Sequence, residues 1–325
     1  MSHCSDISPF SCKNQNGIAL IVTLMVIAIL TVLVLEFAFS TRINLYITSN
    51  LADGTKAYFL AKSGVQVAAG AMLDDIQNSS EDYLQEDWAQ QLPPIPAGNG
   101  WVTVEITDED SKFCLNRLID KRGKLVQSSV KILESLCTQL EIPVEVAYAI
   151  EDWVDADNDL RPNGGDETSM WAYNTLPVPY AAKNGYFSSL MELRLIWGMT
   201  DDYYKKLSEV VTVYGDSKMN INTVDRKVLL AVLEANNLGD KEDSVDQIVQ
   251  WREANYFEAK NFRRQLRSDL NLDPAVIRVI LKNFTVLSHF FSTKSTAQVN
   301  ETTKIATGVI FRTKAKVRVI YFRTN

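Results

Sequence analysis

The chain has 325 residues, 46% hydrophobic and 10% aromatic, enough for two or three domains with real cores. Acidic residues outnumber Lys and Arg by 40 to 33, and the net charge of -7 disfavours a general nucleic-acid binder, which would present a basic face. The only histidines are His3 and His289, and the four cysteines show no CxxC spacing, which leaves little from which to build a Ser/His/Asp triad or a zinc site.

Residues 1–17 are polar, carry a single Lys13 and read as a short leader. Ile18 to Leu35, IALIVTLMVIAILTVLVL, follows with eighteen residues and no charge. As a helix it covers about 27 Å, close to the hydrocarbon core of a bilayer. A cleaved signal peptide has an apolar core of about 7–15 residues with small residues after it. Here the run is longer, and Gly17 precedes it. A retained anchor is therefore expected over 18–39, with the N-terminus inside and the bulk outside.

The helical pattern continues past the anchor. Tyr58, Ala61, Val65, Ala68, Met72 and Ile76 recur at steps of three and four, and no proline falls between Ile18 and Ile76. One helix of roughly 90 Å is expected, with Gly54, Gly64 and Gly70 as potential bends. A Pro- and Gly-rich loop (92–100) precedes an alternating strand, Trp101 to Thr107. From Lys112 to Asn283 the chain reads as mostly helical, with helices over 125–140, 144–154, 188–197, 201–210, 224–235, 245–255, 261–270 and 274–283. Ser111–Leu118 (SKFCLNRL) and Ser217–Val224 (SKMNINTV) form a weak internal repeat, each after a strand-like piece and before a helix, and Asn222 or Thr223 is a candidate cap. The period returns to two at 285–291, 305–311 and 316–322.

The economical architecture is α+β. A helix-plus-sheet core (40–110 and 285–325) would carry an inserted α-domain (111–284) of two lobes, about 111–215 and 216–284.

Two stretches hold candidate chemistry. Between Glu145 and Glu167 there are eight acids and one base, Arg161, and Asp155, Asp157 and Asp159 alternate next to Pro162, Gly164 and Gly165. Calcium takes six to eight hard oxygens, and an irregular calcium loop fits this composition. It is not an EF-hand, because Leu160 stands where that loop needs glycine and Asp166 where it needs its closing Glu. A solvated acidic turn is the bland alternative. The second stretch, Asn220-Ile-Asn-Thr223 with the helices that follow, resembles the opening of a helix-hairpin-helix module. The hairpin at 236–243 has one glycine and three acids, which would repel phosphate. A membrane-anchored periplasmic DNA-binding protein is thus the second reading and a hydrolase the third. In an exported chain, Cys114 and Cys137 could form a disulfide.

Gly17 before Ile18-Ala-Leu-Ile-Val-Thr resembles the processing site of type IV pilin-like proteins. Most of these carry Glu at the fifth mature position, where this chain has Val22. Together with Tyr58–Val65, Asp110–Asn116, Glu151–Asn158, Arg161-Pro162 and Met219–Thr223, this identifies a resemblance to the K-type minor pseudopilins of type II secretion systems over nearly the whole chain.

The resemblance implies a pilin-like fold with a long N-terminal helix on an antiparallel sheet and a large inserted α-domain. It implies cleavage after Gly17 by prepilin peptidase and N-methylation of Ile18. It implies a non-enzymatic subunit of the Gram-negative inner membrane, single-pass with a periplasmic bulk. That subunit caps the pseudopilus tip with the I and J minor pseudopilins and contacts other pseudopilins and inner-membrane secretion components, without nucleic acid. It also implies calcium in the α-domain, for which Asp155, Asp157, Asn158, Asp159, Asp166 and Glu167 are the candidate ligands here. Cys114 departs from the pattern, since the family usually has Asn there, and the leader is less basic than usual. Without an acid, Val22 offers no salt bridge to a subunit above it, which suits a terminal position.

Overall fold

The computed structural model describes residues 15–90, 93–156, 180–215 and 218–325. Helix α1 (Gln15–Asn78) runs unbroken for 64 residues. Along it the hydroxyls of Thr23, Thr31, Thr48 and Thr55 donate to carbonyls three or four residues earlier, so these polar groups are satisfied within the helix itself.

The C-terminal half of α1 packs on a five-stranded antiparallel sheet. In spatial order the strands are β1 (Ile95–Ala97), β2 (Gly100–Asp108), β7 (Phe290–Val299), β8 (Thr302–Thr313) and β9 (Lys316–Thr324). The predicted stripe is the buried one: Ala61, Val65, Ala68, Met72 and Ile76 are 0–3% exposed, while Tyr58 is half-buried. Ala61, Val65, Ala68 and Met72 meet Val102, Val104, Phe291, Ala297, Ala306 and Ile310. Trp88 closes this core edge-on to Phe291, with centroids 5.1 Å apart.

Gly64 does not bend the helix; it lets the helix approach the sheet. A side-chain carbon there would lie 2.1 Å from Ser295 Oγ, and one at Gly308 would lie 2.9 Å from Val65 Cγ1. This approach explains a misplaced strand. Periodicity put one at 285–291, but the long strand is β7, whose helix-facing positions include Thr293, Ser295 and Ala297. Small side chains are what the close helix permits, and they removed the apolar signal on which the reading relied.

The helical region leaves the sheet at Asp108 and returns at Phe291, which are partners in register. The internal repeat marks its organisation. β3 (Phe113–Cys114) pairs in parallel with β4 (Val211–Thr212), and β5 (Met219–Asn220) with β6 (Phe284–Thr285). Each lobe is therefore opened and closed by a two-residue clasp. The first holds α2 (Gln127–Gln139), α3 (Val144–Val154) and α4 (Asp201–Val210). The second holds α5 (Arg226–Glu234), α6 (Glu242–Ala254) and α7 (Pro274–Asn283).

The lobes share one core that extends from Phe113 to Val286, and Ser135 and Gln139 of α2 both donate to Glu234 of α5. The predicted helix at 188–197 is a 3-10 stretch, Leu190–Leu195, opened by a Ser189–Glu192 capping box. The one at 261–270 is a single α-turn, Phe262–Arg264, followed by a π-turn, Gln265–Asp269. Asp225 caps α5 by accepting from Lys227 N at 2.7 Å; Asn222 and Thr223 are engaged elsewhere.

Candidate functional site

The N-terminal half of α1 is bare. Every residue from Gly17 to Ala52 is exposed, with Ile18 at 66% and Val22 at 53%. Nothing lies within 4 Å of where a Gly17 side chain would stand, so packing does not require glycine there. Among the described residues this is the one helix long and apolar enough to cross a membrane. Its first part, Ile18 to Leu35, carries no charge, and a charge-free helical surface of that length belongs in lipid or against other apolar helices, not in water.

Behind it, a buried polar junction ties α1, the sheet and the second lobe together. Arg312 of β8 is fully buried, a rare position for arginine. Its guanidinium donates to Asp75 of α1, to Asp82 beyond the end of α1 and to Ser288 O, and it stacks 4.4 Å above the Phe291 ring. Asp82 also accepts from Ser288 N at 2.6 Å. Asp108, at the end of β2, accepts from the hydroxyls of Ser288 (2.7 Å) and Thr223 and from Asp110 N (2.8 Å). Asp110 accepts in turn from His289 N at 2.7 Å.

Burial, reinforced by the neighbouring Asp110 charge, pushes the Asp108 carboxyl up to about 7. Burial also raises Asp82, against the opposing pull of Arg312. Oxygens of Asp75, Asp82 and Glu86 lie within 4.8 Å of one another. Arg312 already supplies the cation for two of them, and Glu86 accepts from Trp88 Nε1 at 2.7 Å and Tyr83 N at 3.0 Å. The sequence reading missed this junction entirely. Arg312 is 237 and 230 positions from its two acids, and no local pattern connects them.

The repeat holds the lobes by one device used twice. Asn116 accepts from Phe187 N (2.7 Å) and donates to Phe187 O (3.0 Å). Asn222, its counterpart, accepts from Phe257 N (2.7 Å) and donates to Phe257 O (3.0 Å). Cys114 and Asn220 are also counterparts, but Asn220 donates to Asp82 O (3.0 Å) and Ser288 Oγ (2.8 Å), bonds a thiol at Cys114 does not copy. The contemplated Cys114–Cys137 disulfide is not formed: both thiols are free and buried, and burial pushes them up to about 11 and about 12. Cys114 sits buried in a clasp strand, and Cys137, inside α2, packs into the common core.

Of the calcium candidates, Asp155 is described; Asp157, Asn158, Asp159, Asp166 and Glu167 lie outside the described residues. Asp155 is 4% exposed and caps the C-terminus of α3. Glu151 and Asp152, in the last turn of α3, are buried beside it and were not among the predicted ligands. Three buried carboxylates at the negative end of a helix are disfavoured by its dipole, and a hard cation offsets that cost. Carboxylate oxygens are the kind of donor that calcium takes. The α5–α6 connection does not fit phosphate. It carries Asp240, Glu242 and Asp243, and Arg226 is already bound to Glu242 and Asp246.

A long helix, bare and apolar at one end and packed on an antiparallel sheet at the other, defines a pilin-like protein, here with a large helical insertion. Residues 111–216 match the family model described as type II secretion system (T2SS), protein K. Type II secretion system protein K of Pseudomonas aeruginosa is 30% identical over 72% of both chains. The protein of that name from Aeromonas hydrophila is 26% identical over 97% of this chain and 98% of its own. The chain belongs to the type II secretion system protein K family. Among solved structures, the GspK-GspI-GspJ complex from enterotoxigenic Escherichia coli shares the fold. It has a TM-score of 0.71 and 23% identity, and the match covers 86% of this chain and 99% of that one.

Proposed function

We propose that this chain is the tip subunit of a type II secretion pseudopilus, a structural assembly protein and not an enzyme, which caps the fibre with the I and J minor pseudopilins. The observation that carries this reading is the bare apolar half of α1 with Val22, not an acid, near its start. Such a surface can exchange lipid for a helical bundle, yet its first turns, up to Leu35, offer no charge to a subunit stacked above. The I and J partners are inferred from the complex named for the structural neighbour.

In this reading prepilin peptidase cuts after Gly17 and methylates Ile18. The anchor sits in the Gram-negative inner membrane with the bulk in the periplasm, and it meets other pseudopilins and inner-membrane secretion components there. Calcium would be held by Asp155 with Asp157, Asn158, Asp159, Asp166 and Glu167, and the buried Glu151 and Asp152 add acidity to the same corner. Its chemistry there is electrostatic: it neutralises the acids and fixes the loop.

The test is co-expression of the full chain with the I and J proteins of its own organism, followed by detergent extraction and size-exclusion chromatography. The reading expects a ternary complex whose K subunit begins at Ile18 by intact mass. Elution of the chain apart from both partners overturns it.

A further inference from the structure

We infer that the second lobe carries a docking groove for an acidic polypeptide segment. The groove, of about 700 Å³, lies between the π-turn and α7. Leu272, Ile277 and Leu281 line it, and Arg263, Arg267 and Arg278 stand along it. All three arginines are exposed, and none forms an ion pair or side-chain hydrogen bond among the described residues. The local charge runs against the chain as a whole. From Lys260 to Lys282 there are six basic residues and two acids, in a protein of net charge -7. One of those acids, Asp273, is occupied with capping α7 and with Lys241.

The geometry selects the occupant. Guanidinium forks recognise carboxylates in a bidentate manner. The volume is within the range of small-ligand sites, so it takes a few residues and not a whole face. Apolar side chains between the arginines ask for aliphatic groups between the carboxylates. A polyanion such as duplex DNA needs a long basic track. Here the basic stretch ends at the lobe, and the Glu145–Glu167 segment of the same insertion carries eight acids. No exposed aromatic lines the groove, as a lipid-inserting surface would require. The partner is therefore a protein with an extended segment of acidic residues around an aliphatic one.

The full chain in detergent would be titrated into a fluorescein-labelled peptide of three Asp-Leu-Glu repeats and followed by anisotropy. A Lys-Leu-Lys peptide, a short DNA duplex and phosphatidylglycerol vesicles would be run beside it. The expected result is saturable binding of the acidic peptide alone. The R267A/R278A variant should weaken it at least tenfold with an unchanged melting curve, and salt raised to about 0.3 M should weaken it progressively. If that variant unfolds, R263A and the salt titration of the natural chain carry the test. The inference is overturned by any of three results: no saturable peptide binding, binding indifferent to both salt and the arginines, or tighter binding of duplex or vesicles through the same arginines.

Discussion

Replacing Arg312 by methionine tests whether the buried junction holds the pilin core and the helical insertion together. Methionine keeps most of the length of the side chain and removes the charge. Asp82, fully buried, and Asp75, mostly buried, lose the one cation that pairs with them among the described residues. Breaking a buried ion pair from one side costs about 3–5 kcal/mol, because the abandoned charge stays desolvated. In a chain of 325 residues each kcal/mol moves the melting temperature by about 1.5 °C, so R312M should melt roughly 5–8 °C below the natural chain. Thermal unfolding in detergent, followed by circular dichroism, measures the shift. R312M/D82N should recover part of the loss, since the asparagine leaves no charge to strand. A shift below about 2 °C, or a double variant no better than the single, would refute the reasoning.

The remaining outcomes follow from neighbouring features. Burial holds the Asp108 carboxyl up at about 7 in the folded chain, against an ordinary 3.8. The folded state thus keeps a proton that the unfolded state has released between those values, and stability should fall as pH rises through that window. D108N should reduce this slope in urea midpoints taken across it, leaving the part contributed by Asp82, whose carboxyl burial also raises. Asn222→Ala removes both bonds to the Phe257 backbone and should cost about 2–4 kcal/mol in denaturant unfolding, with N116A acting alike in the first lobe. G64A drives a methyl into Ser295 and should cost about 1–3 kcal/mol by the same measure. Calcium at a hundred times its dissociation constant should stabilise the chain by about 2.7 kcal/mol relative to chelator, and coincident melting curves would rule the site out.

Local chemistry made α1 readable in the sequence. A charge-free run, a stripe from Ala61 to Ile76 and the lack of proline are all signals within one element. The repeat was readable as a pattern, but its meaning was not. The Asn116 and Asn222 side chains act on backbone 71 and 35 positions away, and for Asn222 the nearest local reading is a helix cap. The strand from Phe290 to Val299 was hidden because its burial depends on a glycine in a distant helix. Arg312 would have been placed at the surface by any residue-type rule, and only the assembled fold supplies its acids.

The register pairing of Asp108 with Phe291 has a consequence for how such a chain can change. The whole excursion departs and returns at facing positions of one antiparallel ladder, where an ordinary hairpin would place a tight turn. Its length is therefore invisible to the sheet: residues can be gained or lost between the clasps without sliding β2 against β7. The cost of closing a loop rises only slowly with its length. A lineage can thus enlarge or remodel what it presents beyond the fibre while the part that packs into the fibre stays the same. The Arg312 junction is the point where such remodelling would first be felt.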